Sequence, residues 1–147
     1  MAEEGFVTCG LAVVHPWLCD AMGHLTTRHY VAMFDDAAYH LHAALGHDAE
    51  RAAAERQGWA DVRHEIDYRS ELAAGALVRI DGRVTALGRS SLASEFCMVE
   101  SGSGRLSAVM RARTVCFDLA ARRARPLPDA VVLGAGRLFG VQREAGQ

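Results

Sequence analysis

Lysine is missing from the chain: all sixteen basic side chains are arginines. Any phosphate this protein meets must therefore be held by a guanidinium or by backbone N–H groups, not by a flexible ammonium. Cysteines at zinc spacing are missing too. Cys9, Cys19, Cys97 and Cys116 are scattered and form no C-x-x-C pair, so no metal site is expected and the thiols should be free and mostly buried. No run reaches the roughly twenty apolar residues of a membrane span. The basic opening of a secretory signal is absent, Glu3 and Glu4 standing in its place. The net charge is −2 with the two signs mixed along the chain, which is no electrostatic footprint for nucleic acid. These absences lead to the expectation of a soluble cytoplasmic protein with neither nucleic acid nor membrane as partner.

What is present is core-forming material. Half of the 147 residues are hydrophobic, enough for one domain over residues 1–147. "GFVTCGLAVVH" reads as a first strand, which Pro16 should end because proline cannot continue a central ladder. After the loop "PWLCDAMGH", Thr26 or Thr27 offers an N-cap. Tyr30, Phe34, Ala37, Ala38, Leu41 and Leu45 then recur at helical spacing up to Gly46, a helix roughly 27 Å long. Residues 48–57 read as a second, solvated helix. From Trp59 the period becomes two. Strands are expected over 59–72, over 76–87 with Val78, Ile80, Val84 and Ala86 inward and Arg79, Asp81, Arg83 and Thr85 outward, over 92–101, and over 105–119 after a hairpin at Gly102 and Gly104. Pro126 and Pro128 close the sheet, and 129–140 reads as a terminal helix. Strands and helices that do not alternate indicate α+β with an antiparallel sheet. One long apolar helix and about five strands are most economically arranged as a curved sheet wrapped around that helix.

The stretch "DAMGHLTTRHY", Asp20 to Tyr30, concentrates polar chemistry just before the long helix. With "YRSELAAG" between the second and third strands, "GRSS" at the start of the fourth and "PLP" after the last, the chain resembles the hotdog-fold acyl-CoA thioesterases, in the branch that includes 4-hydroxybenzoyl-CoA thioesterase. The resemblance runs from about residue 5 to 128 and is most specific in the Asp20 loop. Thr26 and Thr27 stand where many members carry Asn or Tyr, and Asp35 and Asp36 where many carry Glu.

On residue type alone, Asp20 fits an Asx-turn or a helix cap as readily as a catalytic group. The resemblance implies that it attacks the thioester carbonyl or activates a water to do so. His24 is implied as a second catalytic or orienting group. Gly23, Thr26, Thr27, Tyr30, Arg89, Ser90 and Ser91 are implied as substrate-binding residues, Arg89 toward a CoA phosphate. A helix N-terminus after the loop would present free N–H groups and a partial positive charge to an oxyanion. Asp35 and Asp36, on the helix, are the rival carboxylates, and Arg122, Arg123 and Arg125 a basic cluster for either the nucleotide or solubility. The expected enzyme cleaves an acyl-CoA to a carboxylic acid and free CoA, with no cofactor and no metal, as a homodimer or homotetramer. Two alternatives stay open: a hotdog hydratase or dehydratase, against which the four-residue spacing of Asp20 and His24 argues, and a non-catalytic acyl-CoA-binding module.

Overall fold

The computed structural model describes residues 2–143. Strand β1 (Val7–Val13) leads through one turn of 3-10 helix at Pro16–Leu18 and a loop into α1 (Thr27–Leu45). A short α2 (Ala49–Ala54) precedes β2 (Gln57–Tyr68), β3 (Leu77–Leu87), β4 (Ser91–Glu100), β5 (Leu106–Asp118), the two-residue β6 (Arg123–Ala124) and α3 (Asp129–Phe139). The sheet has the order β1-β3-β4-β5-β2, with β6 paired on β5. β1 runs antiparallel to β3 and β6 antiparallel to β5. This is the expected hotdog fold. No helix among the described residues is long and apolar enough to cross a membrane.

The chain divides into two compact units. The first comprises the residues up to Leu41, Ile66–Gly82 and Phe96–Met110; the second comprises His42–Glu65, Arg83–Glu95 and the chain from Arg111 on. In the first unit, the helical spacing of Tyr30, Phe34, Ala37 and Leu41 produces one buried stripe along α1. Phe34 packs on Phe96 of β4, ring centroids 6.4 Å apart, with Val78, Ile80, Met98 and Met110 also buried. Each such side chain contributes about 1.5–3 kcal/mol on burial.

Burial along β3 departs from the expected alternation. Asp81, expected outward, is 1% exposed. Its carboxylate accepts two bonds from Arg79 Nε, at 3.1 and 3.0 Å, and one from Thr8 Oγ1 at 3.2 Å, so a buried charge is fully paired. A register shift between Thr8 and Gly10 accompanies it. Ala86, expected inward, is exposed and Leu87 is buried.

In the second unit, α1 ends at Leu45 and Gly46 takes the positive φ (+104°) that stops it. Asp48 caps α2, accepting from the amides of Glu50 and Arg51 at 3.0 and 3.2 Å. α3 crosses the end of α1 so closely that a Cβ on Gly134 would lie 1.9 Å from the Leu45 carbonyl oxygen. Leu45, Val131 and Ala135 are fully buried there. Beside them His42 sits between Trp59 and His47, ring centroids 4.7 and 6.4 Å away. Burial, and then His47, pull His42 down to about 4.

Candidate active site

The loop ahead of α1 is built by Asp20. Its Oδ1 accepts from the amide of Met22 at 2.9 Å and from that of His24 at 3.2 Å. Its own amide donates to the His24 carbonyl at 2.8 Å, and the Gly23 amide donates to the Asp20 carbonyl at 3.0 Å. Gly23 sits at φ +81°, a conformation costly for any residue with a Cβ. Asp20 thus performs the Asx-turn role, and it does so with one oxygen. Oδ2 carries no hydrogen bond to any described residue and the side chain is exposed.

The chain then enters α1. The Thr26 amide is bound by the Leu18 carbonyl at 3.0 Å, and the His29 amide donates to Thr26 at 2.9 Å. Between them the amides of Thr27 and Arg28 have no acceptor among the described residues. Two free donors at a helix N-terminus carry the partial positive charge that favours an anion.

A strap from the end of β2 fixes the loop from the other side. β2 stops at Tyr68 rather than running to residue 72, because the amides of Arg69 and Ser70 both turn to the Ser107 carbonyl, at 2.8 and 3.2 Å. The Leu25 amide donates to the carbonyl of the fully buried Leu72 at 2.8 Å, and His24 forms a bridge with Ala73. His24 Nε2 lies 3.2 Å from Glu71 Oε2.

Together these segments enclose an open cleft of about 280 Å³, lined by Asp20, Met22, His24, Leu25, Thr27 and Tyr30 from the loop and helix, with Tyr68 to Glu71 opposite. Tyr30 and Tyr68 meet edge to face at 5.1 Å. Burial, then Tyr68 and Glu71, raise the Tyr30 phenol above its ordinary value. The lining brings the Asp20 and Glu71 carboxylates, the His24 imidazole, Thr27 at the helix start and two tyrosine rings into one cleft.

Of the residues singled out in the sequence, Asp20, His24, Thr27 and Tyr30 come together here. Gly23 shapes the turn, and Thr26 supplies the first helical carbonyl. Arg89, Ser90 and Ser91 belong to the second unit and do not line this cleft. There the Arg89 carbonyl accepts from Leu127 N at 2.9 Å and from Arg143 Nη2 at 3.2 Å, while the Ser90 carbonyl accepts from Cys116 N at 2.7 Å. Asp36 lines another cleft of the first unit with His40, Met33 and Cys9 to Ala12. Arg125 is tied to Glu55 at 3.5 Å. Among the described residues no three metal-ligating side chains cluster. Glu71 went unnoticed in the sequence. It lies in "YRSELAAG", within the span 59–72 expected as strand.

Comparison with known proteins gives a consistent picture. Residues 14–133 match the profile of a family described as the thioesterase-like superfamily. No curated protein matches. Among solved structures, a Staphylococcus aureus protein in complex with CoA superposes with a TM-score of 0.85 at 13% identity, over 97% of this chain and 90% of its own. The 1,4-dihydroxy-2-naphthoyl-CoA thioesterase of Synechocystis gives 0.78 at 16%, over 88% and 95%. A probable thioesterase of Escherichia coli gives 0.74 at 17%, over 88% and 97%.

Proposed function

The chain belongs to the thioesterase-like superfamily, and from that premise we propose that it is an acyl-CoA thioesterase whose reaction centre is the Asp20 cleft. Acyl-CoA enters with its thioester carbonyl toward the amides of Thr27 and Arg28. Asp20 Oδ2 attacks the carbonyl carbon, or takes a proton from a water that does. The carbonyl oxygen gains charge against the two donors, and a single donor so placed is typically worth about 10²–10³ in rate. Collapse of the adduct expels CoA as its thiolate, and the acid is released, after hydrolysis of the acyl-Asp20 anhydride if the attack was direct. His24 orients the attacking group. Gly23, Thr26 and Tyr30 shape the pocket.

The observation that carries this reading is the division of labour on Asp20. One oxygen builds the turn and leaves the other free in the cleft that Thr27 also lines. Support for the substrate class comes from the CoA held by the Staphylococcus aureus neighbour and the acyl-CoA named for the Synechocystis one. A panel of aromatic and aliphatic acyl-CoA esters, followed with a thiol-reactive dye, tests it. Release of free CoA thiol is the expected result. Binding of the esters without thiol release would make the protein a binding module. Hydration of an enoyl-CoA without thiol release would make it a hydratase.

We also propose a homo-oligomer, a dimer or tetramer, acting without cofactor in the cytoplasm. The motive is β2, an edge strand whose residues from Asp61 to Glu65 are all exposed in the single chain, Val62 at 58%. An uncovered edge of that length invites pairing. Sedimentation that finds a folded monomer at micromolar concentration would contradict it.

A further inference from the structure

Glu71 is three-quarters exposed, and an exposed pair of this kind adds little to stability. The pair with His24 is therefore not a device for holding the fold. What sets it apart is how firmly its backbone is fixed. The amide of Ser70 is bound by Ser107 O at 3.2 Å and the Ser70 hydroxyl by Leu106 O at 2.9 Å. The carbonyl of Glu71 itself accepts from Arg105 Nη2 at 3.1 Å. Leu72, next in the chain, is fully buried and receives the Leu25 amide, and Ala73 bridges His24. With the strap immobilised on both sides, only side-chain freedom remains to be lost when Glu71 meets the imidazole.

A carboxylate can only accept, so the nitrogen that faces it must carry the proton. Glu71 faces Nε2. In neutral His24, Nδ1 is then left as the lone-pair nitrogen, able to accept from a water or a hydroxyl in the same cleft as Asp20. We propose that Glu71 is the positioning residue for His24, holding the imidazole in the Nε2–H form and in one orientation beside Asp20. This inference rests on the thioesterase reading of the cleft for its kinetic part only. Asp20 itself is untouched by the arrangement, since its bonds run to backbone groups of residues 22, 23 and 24.

The test uses the full chain with Glu71→Ala, Glu71→Gln, His24→Ala and the double variant His24→Ala/Glu71→Ala. Glutamine keeps an acceptor oxygen and loses the charge, which separates positioning from electrostatics. Nitrogen-15 spectra of the imidazole should report the Nε2–H tautomer in the wild type, loss of that bias in Glu71→Ala and its return in Glu71→Gln. Glu71→Ala should lower kcat about tenfold, a modest share of what general acid–base groups supply, with KM within twofold. Glu71→Gln should recover most of that loss, and the double variant should be no slower than His24→Ala. An unbiased wild-type imidazole, a Glu71→Gln as slow as Glu71→Ala, or losses that multiply in the double variant would each overturn the proposal. Should the wild type cleave no acyl-CoA, the thioesterase reading fails on its own, and the imidazole spectra still decide whether Glu71 fixes His24.

Discussion

The two ends of α1 each carry a histidine near aromatic rings, and the two are put to opposite uses. His24, just before the N-terminal end, lies at an open cleft with a carboxylate 3.2 Å from its ring and Tyr30 and Tyr68 among the lining. His42, in the last turn, is 9% exposed and packed between Trp59 and His47. The first end is assembled from hydrogen bonds around groups left free. The second is assembled from volume, with α3 pressed onto the helix end at Gly134. The same side chain faces an open cleft and a counter-charge at one end and serves as core filler at the other.

The comparison implies that chemistry can be removed at the first end without loss of stability, and stability at the second without loss of chemistry. The largest effect is expected from Asp20→Asn. The Asn carbonyl oxygen can still accept from Met22 and His24, so the turn survives, while the attacking oxygen is gone. Turnover should fall about 10³-fold, within the range for lost acid–base or nucleophilic groups, with the thermal midpoint unchanged. Turnover within tenfold of wild type would move the reaction centre elsewhere, Asp36 being the next carboxylate to test.

Gly134→Ala should do the reverse. The new Cβ meets backbone, which cannot swing aside, so α3 must shift, at a cost of about 3 kcal/mol by analogy with overpacked cores. Denaturant titration measures it, and kcat per folded molecule should hold. A variant as stable as the wild type would mean that the α1–α3 crossing is looser than its geometry.

The smallest effect is in pH. His42 is pulled from 6.5 to about 4 on folding, so between those values the unfolded chain binds the extra proton. The stabilisation is fully present above pH 6.5 and drains as pH falls toward 4, by about 3 kcal/mol over the whole window but only a fraction of that per pH unit. His47, also lowered by burial, acts in the same sense. His42→Leu should flatten this slope in denaturant titrations between pH 4 and 6.5. An unchanged slope would assign the acid sensitivity to other groups.

Local signals in the sequence located α1 well. Thr27 and Gly46 bracket it, and its buried stripe is its periodic stripe, because capping and spacing act over a few residues. The Asp20 loop was legible for the same reason: its turn, its glycine and the helix start lie within eleven residues. What escaped depends on partners far along the chain. Asp81 looked exposed in the alternation of β3, and is instead buried with its charge satisfied by Thr8 and Arg79. β2 looked four residues longer, until Ser107 drew the amides of Arg69 and Ser70 out of its line. Glu71 looked like the end of the second strand, since nothing near it in sequence announces His24.

The strand order β1-β3-β4-β5-β2 also dictates a timetable. β3, β4 and β5 are consecutive in sequence and adjacent in the sheet, so their pairing closes only short loops. β1 cannot find its partner until β3 exists, and β2 must wait for β5, with two strands intervening in the chain. Pairings that close long loops form slowly because their entropy is lost before any contact compensates for it. The β3–β4–β5 meander is thus expected to be the earliest structure during refolding, with both outer strands and the Asp20 loop joining afterward. Catalytic competence would then be the last property the chain acquires, trailing the bulk of its secondary structure.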